Sequence, residues 1–194
     1  MKTALVIVDA YKKMHKDCET KDANAFCHFL NRVCDVERKK GTVIIHSVSY
    51  NQNNHREKDP SGNPISKESL NELIEFHSED FFTDARNLYK ILCDNNIDKV
   101  YFGGFHFGKC IFEHLRETYS QYLLQKKIFG GDNVFDCDNI VLNLSMILPK
   151  HSWLRHINLC GKKHNYYLWG PGEFELILKG TTYDEPFVIN DKNL

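Results

Sequence analysis

No sign of charge dominates this chain: 25 Lys and Arg stand against 26 Asp and Glu, a formal net charge of -1. That balance argues against the basic stripe of a nucleic-acid binder and against a polybasic membrane segment. Cys-x-x-Cys pairs are missing too. The seven cysteines, Cys18, Cys27, Cys34, Cys93, Cys110, Cys137 and Cys160, are odd in number and scattered, which argues against a disulfide framework or a zinc ribbon. Long apolar runs are absent. The opening MKTALVIVDA sets a lysine before the apolar stretch Ala4 to Val8, but Asp9 interrupts it, too early for a secretion-signal core or a membrane span. There is no internal repeat, low-complexity tract or interdomain linker. With 42% hydrophobic and 26% charged residues, the composition is that of an ordered globular chain. The expectation is one cytoplasmic domain over residues 1–194, with reduced thiols and a core large enough to need no staples.

What is present is an alternation of short apolar runs and helical patterns. Leu5 to Val8 reads as a buried parallel strand ending at Asp9. Phe26, Phe29, Leu30, Val33 and Val36 fall at helical spacing between Ala23 and about Lys39, and Gly41 stops the run. Thr42 to Val48 is the next strand. Ser49 to Lys67 turns polar and reads as a long loop of the kind that often serves as a lid or binding segment, and Ser69 to Phe76 as a short helix running into strand. Asp84 to Asn95 carries a helical stripe of Ala85, Leu88, Ile91 and Leu92. Lys99 to Gly103 is another buried strand. After the turn Gly104 to Cys110, a helix from about Lys109 to Gln125 turns Ile111, Phe112, Leu115 and Tyr122 inward. Beyond about residue 130 the pattern loosens, with strands expected at Ile140 to Leu148 and Phe174 to Leu178. The alternation predicts an open, mostly parallel α/β sheet with helices on both faces. In such sheets ligands bind outside the carboxyl ends of the strands, where Asp9, Val48 and Gly104 would lie.

Two residues at that edge have chemistry to offer. Cys110 opens a helix, whose unpaired N–H groups and positive dipole end favour a thiolate. Backbone N–H groups of the preceding turn are suited to hold an oxyanion, and a carboxylate across the crevice, Asp9, is suited to take the thiol proton. By residue type alone, though, a cysteine after a strand is more often a small buried hydrophobe, and an aspartate ending one is more often a cap or turn former.

The segment TALVIVDAYKKM resembles the opening strand of the isochorismatase-like cysteine hydrolases, and DARNLYKILCDNNIDKVYFGGFHFGKCIFEHL is similar to their central helix, strand, glycine turn and nucleophile. The likeness runs from residue 3 to about residue 125. It implies a Rossmann-like three-layer α/β/α fold and a triad of Asp, Lys and Cys that attacks a small amide, carbamoyl or related substrate through a thioester-type intermediate. Asp9 takes the base position and Cys110 the nucleophile position. Phe105 and His106 fall in the oxyanion turn and, with Tyr11 and Lys109, are candidate substrate-binding residues.

The chain departs from that pattern at the lysine, because none lies between Lys67 and Lys90 and His77 stands near the vacated place. Imidazole is shorter than lysine and mostly neutral near pH 7. Tyr11 stands where many members carry a polar amide. The stretch His46 to His55 lacks the aspartate of the metal-binding motif found in nicotinamidase-like members, so no metal and no cofactor are expected. The expected partner is a small-molecule substrate, with no nucleic acid and no membrane. The resemblance implies a homo-oligomer, for whose interface the aromatic residues, 12% of the chain, are available. Two functions follow: a cysteine hydrolase using Asp9, His77 and Cys110, or a catalytically inactive protein of the same fold that binds a small ligand or a protein partner. Glu113, His114 and the aromatic group Tyr166, Tyr167 and Trp169 are read as packing or solvent-facing residues.

Overall fold

The computed structural model describes residues 1–10, 20–51, 55–56, 74–107, 110–130, 135–149 and 181–182. Chain order is β1 (Thr3–Val8), α1 (Thr20–Lys39), β2 (Val43–Val48), the two-residue strands β3 (Tyr50–Asn51) and β4 (His55–Arg56), and β5 (Phe81–Asp84). Then come α2 (Ala85–Asp94), β6 (Lys99–Phe107), α3 (Cys110–Phe129), a single 3-10 turn at Cys137–Asn139, β7 (Ile140–Pro149) and β8 (Thr181–Thr182). The main sheet has the order β5-β2-β1-β6-β7-β8, and its described pairings are all parallel. β3 and β4 form a separate antiparallel pair.

The strand at the centre is the one the sequence makes most apolar. Ala4, Leu5, Val6, Ile7 and Val8 are all buried, as expected of a strand covered on both faces. β1 pairs with β2 on one side and β6 on the other, so that Val8 lies opposite both Ser47 and Gly104. The order of strands therefore reverses beside β1, the topological position at which open α/β sheets bind ligands.

Alternation along β2 shows which helix covers which face. His46 turns to Asp80 and the Arg38 end of α1, whereas the hydroxyl of Ser47 meets His114 of α3. Successive side chains of a strand point to opposite faces, so α1 and α3 lie on opposite sides of the sheet. Phe26 of α1 meets Phe105 of β6 edge to face, ring centroids 5.2 Å apart. On the other side α2 packs along α3, and the side-chain amide of Gln121 donates to the Arg86 carbonyl. The three layers expected from the sequence are all present.

Individual expectations differ in detail. Val36 is 50% exposed and Cys34 is buried in its stead, because the inward row of α1 passes through residues 26, 30 and 34. β5 falls on Phe81–Asp84, after the stretch read as helix running into strand, of which Ile74 to Phe76 are neither. Helix α3 continues beyond Gln125 to Phe129. The strand expected at Phe174 to Leu178 lies outside the described residues. No helix among the described residues is long and apolar enough to cross a membrane.

Candidate functional site

Asp9 leaves the end of β1 with φ of 50°, a left-handed conformation that aspartate tolerates better than most residues and that often marks a functional position. Its N–H donates to the Ser47 carbonyl at 2.9 Å. Its carboxylate is buried and receives the Ser49 N–H at 2.7 Å and the Ser49 hydroxyl at 2.5 Å. These two donors fall on different oxygens, which fixes the plane of the acid against the end of β2.

On the other flank, β1 and β6 approach so closely that Gly104 is obligatory. With φ of +106°, a Cβ there would stand 2.2 Å from the Val8 carbonyl oxygen and 2.6 Å from its nitrogen. Three residues on, β6 ends at Phe107, and Cys110 begins the 20-residue helix α3. Cys110 is nearly buried, 4% exposed.

His114, one turn into α3, ties this helix to the acid's side of the site. It is fully buried. Nδ1 lies 2.8 Å from the Cys110 carbonyl oxygen and Nε2 lies 2.8 Å from Ser47 Oγ. Burial, partly opposed by the Cys110 carbonyl, brings its pKa down to about 4, so the ring is neutral near pH 7. The structure thus brings together Asp9, Ser47, Ser49, Cys110 and His114. Ser47, Ser49 and His114 are not among the site residues that the sequence suggests. The available signal was the four-residue spacing of Cys110 and His114, which sets them on one helix face, and the serines alternating in HSVS.

The remaining candidates fall in several places. His77 is half-exposed, and its ring lies 3.9 Å from Glu75 and 3.7 Å from Glu79. With Asp35 and Glu75 it forms a group whose ligand-type atoms lie within 4.8 Å of one another, but Asp35 already receives the Arg38 guanidinium at 3.0 Å. That grouping draws His77 toward α1. Phe105 is fully buried against Phe26. His106 is placed only through its backbone in β6, and Tyr11 and Lys109 lie outside the described residues.

Beneath His77 is a buried ionic junction. Asp80 accepts Arg38 Nη2 at 2.6 Å, Arg38 Nε at 3.1 Å and the His77 N–H at 3.0 Å. His46 Nε2 lies 3.2 Å from the same carboxylate. Burial opposes charge on Asp80, but the hydrogen bonds from His46 and Arg38 outweigh it and hold the carboxyl well below its ordinary range. Burial lowers His46 as well. A carboxylate only accepts, so the neutral His46 donates through Nε2, leaving Nδ1 without a partner among the described residues.

A parallel sheet reversing beside β1, with an acid at one strand end and a thiol opening the helix after the next, defines a doubly wound α/β protein with a polar carboxyl edge. Its fold is that of the isochorismatase-like proteins. No family model matches the sequence, and no curated protein is similar to it in sequence. Solved structures do match. An isochorismatase family protein superposes with a TM-score of 0.55 at 15% identity, over 94% of this chain and 98% of that one. The nicotinamidase from Bacillus subtilis gives 0.52 at 12% identity, over 95% and 100%. The N-carbamoylsarcosine amidase from Thermoplasma acidophilum gives 0.52 at 17%, over 95% and 96%.

Proposed function

We propose that the chain is a hydrolase of small amide, carbamoyl or related C–N compounds, with Cys110 as nucleophile and Asp9 as base. The observation that carries this reading is the joining of the Cys110 turn to the Asp9 strand end through Ser47 and His114 at the carboxyl edge of the sheet. Structural neighbours named as an amidase and a nicotinamidase support it. In the first step the Cys110 thiol gives its proton to the Asp9 carboxylate, and the sulfur attacks the carbonyl carbon. The C–N bond then breaks, the amine leaves with the proton that Asp9 had taken, and an acyl thioester remains on Cys110. Water gives a proton to Asp9 and its oxygen attacks the thioester carbonyl; the C–S bond breaks, the carboxylic acid leaves, and Asp9 returns the proton to the sulfur. Ser49 holds the acid in one orientation through both cycles. His77, the third member expected from the sequence, stands beside Glu75 and Glu79.

Acid-quenching the protein during incubation with a panel of small primary amides and carbamoyl compounds, followed by intact-mass and peptide analysis, tests the reading. A mass increase equal to the acyl group, located on Cys110 and absent from Cys110→Ser, is expected with at least one compound. Absence of both acyl adduct and ammonia release across the panel would overturn it.

A further inference from the structure

We propose that Ser47 and His114 act as a positioning couple that sets Cys110 against Asp9. The inference rests on the hydrolase reading above and assigns that site two residues which themselves touch no substrate. Its basis is three hydrogen bonds in series whose directions are fixed by chemistry. A carbonyl oxygen can only accept, so His114 Nδ1, 2.8 Å from the Cys110 carbonyl, carries the ring's proton. A neutral ring has one proton, so Nε2 is a bare lone pair, and the Ser47 hydroxyl 2.8 Å away donates into it. The Ser47 carbonyl accepts the Asp9 N–H at 2.9 Å. The residue bearing the sulfur is thereby connected to the residue bearing the carboxylate through β2, a strand continuous in sequence with neither.

Each link is buried, so neither partner can exchange its bond for water, and a missing bond leaves a stranded polar group. Were the couple mere glue between α3 and β2, its loss would lower stability and leave the thiol's chemistry alone. As a positioning device it acts on geometry, and a displacement of about 1 Å between reacting groups can cost on the order of a hundredfold in rate.

The test reads the thiol directly and needs no substrate. Second-order rates of iodoacetamide alkylation at Cys110 are followed by peptide mass spectrometry from pH 5 to 10, in the wild type, Ser47→Ala, His114→Gln, the double variant and Ser47→Thr, with circular dichroism confirming that each is folded. Expected are rates about tenfold lower at pH 7 and a higher midpoint of the pH profile in Ser47→Ala and His114→Gln. The double variant should be no slower than the slower single, since both changes interrupt one series, and Ser47→Thr, which keeps the hydroxyl, should restore the profile. Wild-type profiles in both single variants, or losses that multiply in the double, would overturn the couple while leaving Cys110 as nucleophile. A wild-type Cys110 no faster than the buried Cys34 would instead overturn the hydrolase reading and the couple with it.

Discussion

His114 is the residue at which acid should first be felt. Its folded pKa is lowered to about 4, against about 6.5 for an unperturbed imidazole. Between those values the unfolded chain takes up a proton that the folded chain refuses, so stability is full above pH 6.5 and falls as pH drops toward 4. The loss at this one site is roughly 3 kcal/mol, and His46, lowered by burial in the same direction, adds to it. Asp80 works at lower pH: its depressed pKa contributes stability above the ordinary carboxylate range that is lost below it. Guanidinium unfolding at pH 7 and pH 4.5 should show a marked drop in the wild type and a shallower one in His114→Gln; equal drops would remove His114 as the cause. The same residue shows what sequence could not reveal. Asp9 and Cys110 were legible because one ends an apolar run and the other opens a helical pattern. The partnership of His114 with Ser47 spans 67 positions, and only packing creates it.

At the scale of elements, the strands that were legible are those buried on both faces. β1 and β6 read as apolar runs closed by an acid and a glycine, β2 as an apolar run before a polar stretch, and α2 by its stripe of Ala85, Leu88, Ile91 and Leu92; the structure adds the cap, Asp84, whose carboxylate accepts the N–H groups of Arg86 and Asn87. β5 was not legible, because Phe81–Asp84 is four residues long and runs straight into α2, too short for a period-2 pattern to declare itself. The closeness of β1 and β6 has a direct consequence. Gly104→Ala would drive a methyl into the Val8 backbone and demand a left-handed alanine, so the strands must part at the edge that holds Asp9. A loss of roughly 2 to 4 kcal/mol is expected from the combined strain and overpacking, with slower Cys110 alkylation than the loss of stability alone explains. Chemical denaturation together with the labelling assay checks both; a variant as stable as the wild type would contradict the close approach.

For the whole molecule, the connection order matters more than any one contact. β1 lies between β2 and β6, α1 covers one face and α2 with α3 the other, and Asp9, Ser47, Ser49, Cys110 and His114 collect where the order reverses. The Arg38–Asp80–His46 junction fastens the segment before β5 to α1 and β2; breaking one partner of such a buried group typically costs about 3 to 5 kcal/mol. That junction occupies the neighbourhood in which the resemblance implied a lysine, and residue types alone did not show that the histidine there would settle among carboxylates. The central claim is that Asp9 and Cys110 share one crevice and act on one proton. Its most direct measurement is the pH dependence of Cys110 alkylation in wild type and Asp9→Asn, with Cys34, whose thiol burial pushes up to about 12, as the internal reference. The account predicts that Cys110 reacts well ahead of Cys34 near neutral pH and that Asp9→Asn slows Cys110 alone; superimposable Cys110 profiles in the two proteins would contradict it.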